Sequence, residues 1–267
     1  MITFVTCWYA LKNKFNKNIY ENWLSNFLTN VNNFYLIIFT DNNSVNLLYK
    51  YINKNPRIKI IIQPIYKFYN IKYEQKWKKN QKDNIFLKQI EWKVNMLWCE
   101  KINFVKIAKQ HNHFNTDWFG WCDIGYFRCK ENDLTKKELT NWPNHLVIKL
   151  LDKTKVHYAN ICNDINYFNK LIHIVKNKNK NKLPKCHIPP EQMSIAGGFF
   201  LIYKDKIDWW FNTFDEKLQL YFKHNYLVKD DQMIILDCVI TEQNHFQLYT
   251  ENNSNYNNWF MFQRKLL

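Results

Sequence analysis

Apolar runs rich in β-branched and aromatic residues recur along this chain as ITFVTCWY, FYLIIFTD, RIKIIIQPI and SIAGGFFLIY, with helix-spaced segments between them. A strand that is apolar at consecutive positions needs cover on both faces, as strands have in a parallel sheet with helices above and below. Alternation of such runs with helices points to an α/β fold with a mostly parallel sheet, and argues against a sandwich or a bundle. A first helix is read in YENWLSNFLTNV, where Trp23, Leu24, Phe27 and Leu28 share a face. A helical pattern from about 81 to 110 reads as two helices or a bent one. DWFGWCDIGYFR supplies a fourth strand and its exit, and HLVIKLLD a fifth. The stretch from about 152 to 190 is rich in Asn, Lys and His, and is expected to be an irregular insertion or lid. Two further helices follow SIAGGFFLIY, in DKIDWWFNTFDEKLQLYF and DDQMIILDCVI, and then a last strand in HFQLY. The tail NYNNWFMFQRKLL is too aromatic for a free linker and is expected to dock on the domain.

The 267 residues suffice for one large domain with a real core. A net charge of +15 would suit nucleic acid or an anionic substrate. Lys, Asn, Ile, Tyr and Phe are abundant together, however, as when an AT-rich coding sequence fills tolerant positions, and KNKNKNK at 176–182 reads as a solvated loop. No arginine-rich or RNP-like aromatic motif stands out, so nucleic acid is set aside as the leading partner. Seven scattered cysteines without a C-x-x-C pair suggest reduced thiols rather than a zinc knuckle or disulfide scaffold. No run reaches the roughly 18 apolar residues of a membrane span, and the first residues lack a signal-peptide pattern. The expectation is a soluble, cytoplasmic protein.

Only four glycines occur, at 120, 125, 197 and 198, confined to WFGWCDIG and IAGGF. Glycine is hard to replace where the backbone needs positive φ or where something must approach it closely, so the two segments are candidate walls of one site; a bulge and a kink are the plainer alternative. Asp41 and Asp123 each end an apolar strand on the rim where open parallel sheets gather ligands, although such an acid is often only a helix cap. Asp230, Asp231 and Gln232 open the helix MIILDCVI. They are either its first-turn acids or a carboxylate at a reacting centre that Gln232 orients by a hydrogen bond. His245 is either structural or a further ligand for a metal held by Asp123.

In their order, VTCWY, FTD, LWCEK, WCDIGYFR, IAGGFFLIY and DDQMIILD resemble the HtrL/YibB-like glycosyltransferase family, from about residue 3 to 250. More broadly the plan is similar to GT-A enzymes of the glycogenin-like group, in which a D-x-D at a strand end binds Mn²⁺ and a later D-Q opens a helix. The resemblance implies a single GT-A-like, Rossmann-type domain, with a nucleotide-binding half at 1–130 and an acceptor and catalytic half at 131–267. It implies a hexosyltransferase-like enzyme that moves a sugar from a nucleotide-sugar, UDP-linked first among the options, to a glycan, protein or lipid-linked acceptor, with retention of configuration. The base would lie near Thr6 and Tyr9, and the ribose near Asp41. Asp123, Gly125, Lys101, Gly197 and Gly198 would line the donor site, and Asp230, Asp231 and Gln232 would sit at the anomeric carbon. Mn²⁺ or Mg²⁺ would be held by Asp123, with His245 and Asp231 as candidates to complete the shell. Asp123-Ile124-Gly125 departs from D-x-D at the second acid, which weakens the case for metal. That departure keeps a catalytically inactive, sugar- or nucleotide-binding GT-A protein as the alternative, with a basic nucleic-acid binder behind it.

Overall fold

The computed structural model describes the chain except for residues 13, 53–54, 129–133, 136 and 254. The first three apolar runs form β1 (Ile2–Trp8), β2 (Tyr35–Thr40) and β3 (Ile58–Ile62), joined by helices α1 (Lys17–Leu28) and α2 (Val45–Ile52). Then come α3 (Glu74–Lys82), α4 (Trp92–His111), β4 (Trp118–Cys122), α5 (His145–Leu150), β5 (Val156–Asn160) and α6 (Ile165–Lys176). The chain continues through β6 (Ile195–Tyr203), α7 (Ile207–Lys223), α8 (Asp231–Thr241), β7 (Phe246–Thr250) and α9 (Phe262–Lys265). The strands make one seven-stranded sheet in the order β3-β2-β1-β4-β6-β5-β7, parallel throughout except for β6, which runs against both its neighbours.

Alternation along each strand divides the core into two layers. Val5, Ile37, Phe39, Phe119 and Trp121 face α4, α7 and α8, while Ile2, Phe4, Leu36 and Ile38 face α1 and the tail. Strands covered on both sides can be apolar at every position, the pattern that marked them in the sequence. The tail docks as expected, with Phe260, Met261, Phe262 and Leu266 buried and the Trp142 indole donating to the Phe262 carbonyl at 3.0 Å.

The structure corrects three segment readings. HLVIKLLD is not a strand: the Asn144 side chain accepts from the Leu146 amide and starts α5. Only Ile148 of that helix is buried, so the run lies outside the sheet. The 152–190 stretch is not irregular throughout, because it holds β5 and α6, and β5 lies within the sheet between β6 and β7. Asp164 caps α6 by accepting from the Asn166 and Tyr167 amides. The helical pattern at 81–110 is two helices, but the first begins at Glu74 and residues 83–91 are non-helical.

Because β6 is antiparallel, its first residues lie beside the end of β4. The Asp123 amide donates to the Gly198 carbonyl at 2.8 Å, extending the β4–β6 ladder by one bond. The carboxyl ends of β1 and β4, the start of β6 and the N-terminus of α8 thus share one rim. No described helix is long and apolar enough to cross a membrane.

Candidate active site

Lys101 lies on the buried side of α4, one helical turn after Leu97, and reaches the rim with its ammonium. The ammonium donates to the Gly197 carbonyl at 2.9 Å and stands 3.2 Å from Asp123 Oδ1 and 3.1 Å from Asp231 Oδ2. Three N–H groups thus meet three acceptors. Burial works against the charge on Lys101, but Asp123 and Asp231 outweigh it and hold the ammonium above the ordinary lysine range. Asp123 Oδ1 also accepts from the Trp121 indole at 2.6 Å, which fixes the carboxylate against the β4 strand.

Asp231 is the first residue of α8 and almost wholly buried. Burial raises its carboxyl, Lys101 pulls it down, and the neighbouring Asp230 and Asp123 push it up again, leaving it at about 7. Asp230 precedes the helix in extended conformation and makes no cap bond. Its Oδ2 pairs with the Lys229 ammonium at 3.0 Å and accepts from the Gln232 amide at 3.4 Å, the orienting bond expected from the sequence. Asp230 Oδ1 and Gln232 Oε1 are buried without a partner, which leaves two acceptors at the site for a donor from outside the chain.

The glycine pair is explained by these acids. A Cβ at Gly197 would lie 2.8 Å from Asp231 Oδ2, and one at Gly198 would lie 3.1 Å from Asp123 Oδ2. No glycine has positive φ among the described residues. The space that any side chain there would fill is taken by the two carboxylates. Gly125 meets the Trp23 ring instead, 2.6 Å from where its Cβ would stand.

These groups open into a cleft of about 470 Å³, walled by Lys14, Trp23, Trp98, Arg128 and Trp259 among others, a size that suits a small organic ligand. A second hollow of about 430 Å³ shares Trp8, Tyr9, Phe15 and Tyr20 with it and extends to Asn43 and Ser44. Lys101, Asp123, Gly125, Gly197, Gly198, Asp230, Asp231 and Gln232 therefore come together as the sequence suggested. Tyr9 lines both hollows with its hydroxyl donating to the Gln63 carbonyl. Three residues are placed otherwise. Thr6 is fully buried inside β1 and forms no wall. Asp41 follows β2 on the same rim, but its carboxylate accepts from the Ser44 amide at 2.9 Å and closes the turn before α2. His245 precedes β7, which runs parallel to β5 in register with it, so His245 belongs to the opposite rim, against Lys206 and the Trp209 ring.

Sequence reasoning missed Lys14, Trp23, Trp98, Trp259 and Arg128. A signal existed for Arg128, because the chain uses arginine at only three positions among 38 basic residues. Its Nε donates to the Gly125 carbonyl at 2.9 Å and its guanidinium lies 4.3 Å from the Trp23 ring centre.

The divalent metal implied by the resemblance would need convergent oxygen ligands. Among the described residues no three carboxylate, imidazole or thiol groups are arranged to hold a metal ion. Asp123 Oδ1 is committed to Lys101 and Trp121, Gly125 replaces a second acid, and His245 is on the far rim. The residues present do not fit a protein-built metal shell.

Among solved structures the chain is similar to mouse xyloside xylosyltransferase 1 in its apo form, with a TM-score of 0.51 over 92% of this chain and 84% of that one. The chain has a GT-A-like glycosyltransferase fold. At 10% identity the likeness carries the fold and nothing finer. No family model matches the sequence, nor does any curated protein.

Proposed function

We propose that this protein is a glycosyltransferase that takes a sugar from a nucleotide-sugar, UDP-linked first among the candidates, and passes it to an acceptor hydroxyl. The observation that carries the reading is the pair Asp123 and Asp231 joined by Lys101, with the Lys229–Asp230 pair beside it, at the strand rim where α/β folds hold their ligands. The HtrL/YibB resemblance and the fold agree with it. The sugar and diphosphate would occupy the larger cleft, and the nucleoside the hollow beside Tyr9 and Ser44.

In the reaction the bond from the anomeric carbon to the diphosphate oxygen breaks and a bond from the acceptor oxygen to that carbon forms. The acceptor proton leaves with the diphosphate or passes to a carboxylate. The anomeric carbon gains oxocarbenium character, which an ionised carboxylate in a dry site stabilises. Burial and the pairing of Asp231 with Lys101 support Asp231 in that role. Gln232 orients Asp230 beside it. The aromatic walls Trp23, Trp98 and Trp259 offer apolar faces to the sugars and exclude water.

The test is turnover of a panel of UDP-, GDP-, dTDP- and CMP-sugars, followed as release of the free nucleotide. One nucleotide class is expected to turn over in wild type and to bind without turnover in Asp231→Asn. Binding of a donor with no turnover by wild type would instead favour a binding-only protein.

A further inference from the structure

We infer that the Lys101 ammonium stands in for a divalent cation, and that Arg128 with Lys14 takes up the charge of the donor's diphosphate, so that this site binds nucleoside diphosphates without metal. The inference rests on reading the cleft as a nucleotide-sugar site.

A divalent ion in such a site has two tasks: to hold the acidic side chains together and to offset the phosphates. Lys101 performs the first. Its ammonium touches Asp123 Oδ1, Asp231 Oδ2 and the Gly197 carbonyl, all within 3.2 Å, and it is buried with Asp231. A metal bridging the same two carboxylate oxygens would bond them at about 2.1 Å. It would then occupy the point where the ammonium already sits, and the two cations would repel across a poorly solvated gap. The acid missing at Gly125 fits the same picture, since an ammonium balanced by Asp123 and Asp231 requires no third carboxylate.

The second task falls to side chains on the cleft wall. Arg128 is fixed by its Nε bond to the Gly125 carbonyl and by the faces of Trp23 and Phe260, at 4.3 and 5.1 Å. A guanidinium anchored this way is suited to phosphate oxygens, and lysine does not reproduce that geometry. That accounts for an arginine here in a chain that writes lysine almost everywhere. Lys14 sits over the Phe86 and Trp98 rings, at 3.7 and 4.8 Å, and interacts electrostatically with Asp230. Lys101 is paired with Asp123 and Asp231, and Lys229 with Asp230, while Lys14 and Arg128 stand on the wall of the same cleft.

The experiment has a metal arm and a nucleotide arm. Thermal unfolding of wild type and Lys101→Ser is compared in EDTA and in Mn²⁺, with the metal as the only added ligand. The wild-type midpoint is expected to be the same in both. Lys101→Ser is expected to melt lower in EDTA and to recover in Mn²⁺, because the vacated point between two carboxylates then accepts the ion. In the second arm UDP, GDP, dTDP and CMP binding is measured by calorimetry in the same two buffers, on wild type and Arg128→Gln. Equal affinity in EDTA and Mn²⁺, weakened about tenfold by Arg128→Gln, is the expected result. A wild-type midpoint that climbs with Mn²⁺, or a nucleotide that binds only with Mn²⁺, overturns the inference and leaves the nucleotide-sugar reading standing. Absence of binding in both buffers overturns both. The wild-type and Arg128→Gln measurements decide the question even where Lys101→Ser fails to fold.

Discussion

Gly197 and Asp231 were legible as unusual residues, one for its rarity and one for its place before a helix, but not as partners. Their contact depends on the antiparallel entry of β6, which no local pattern encodes. The contact is testable with one methyl group. Gly197→Ala puts a Cβ 2.8 Å from Asp231 Oδ2, so the carboxylate must swing away from Lys101. Overpacking of this kind costs about 1–3 kcal/mol, and the displaced carboxylate should lower kcat more than it raises KM. Steady-state kinetics with the donor, alongside urea unfolding, measures both. Asp231 also fixes a pH dependence. Its folded carboxyl is raised to about 7 from an ordinary value of 3.8. Between those values the folded chain keeps a proton that the unfolded chain has released. The stability Asp231 contributes is therefore full below about 4 and lost as pH rises toward 7. Thermal midpoints across pH should show that fall in wild type and a smaller one in Asp231→Asn, where the buried Glu100 carboxyl, also raised to about 7, still contributes. The rate should run the other way in wild type, rising as pH passes about 7, because the ionised form stabilises the oxocarbenium centre. His245 was misplaced for a plainer reason. A histidine beside a strand looks alike in sequence at either end of the sheet, and only topology separates the cases.

At the scale of elements, the strands that face apolar layers on both sides were readable as continuous runs, and those whose sequence is mixed were not. VHYAN carries His157 and Asn160 and so resembled loop, yet Tyr158 is fully buried, packing on Phe200 and Trp210 and accepting from the Trp210 indole at 3.2 Å. HLVIKLLD looked like a strand because it is apolar, yet Leu146 and Leu150 are 69% and 86% exposed. Apolar composition alone does not say what covers a segment; the cap at Asn144 does more to set α5 than its leucines do. A pair of substitutions separates the two assignments. Leu150→Lys is expected to change stability by less than about 0.5 kcal/mol, as surface changes do. Tyr158→Ala should cost about 3 kcal/mol or more, the cost of emptying an aromatic site in the core. Comparable losses for the two variants in urea unfolding would return α5 to the core and count against the observed topology.

At the scale of the whole molecule, the tail ties the stability of one face of the sheet to the shape of the cleft. The general plan, a mostly parallel sheet with helices on both faces, followed from the apolar runs because burial on two sides leaves a one-dimensional trace. The tail's docking was readable from its aromatic content, but its contribution to the cleft was not, since it depends on where the last strand delivers the chain. Phe262 is buried against Phe199 and Tyr249, with ring centres 4.8 and 5.4 Å away, and its carbonyl receives the Trp142 indole. Just before it, Asn257, Trp259 and Phe260 line the cleft, and Phe260 packs on both Tyr126 and Arg128. Phe262→Ala therefore opens a cavity in the second core layer at a cost of about 3–5 kcal/mol, and it also loosens the support of Phe260 and through it Arg128. Two readouts should move together: a lower midpoint in urea, and weaker nucleotide diphosphate binding measured well below that midpoint, where the chain is still folded. A loss of stability with unchanged binding would make the tail a structural strap alone. The coupling matters because the aromatic ring beneath Arg128 comes from a part of the chain far in sequence from the strand that carries Asp123. Trp259 and Phe260 wall the cleft from the tail, while Asp123 reaches it from the end of β4.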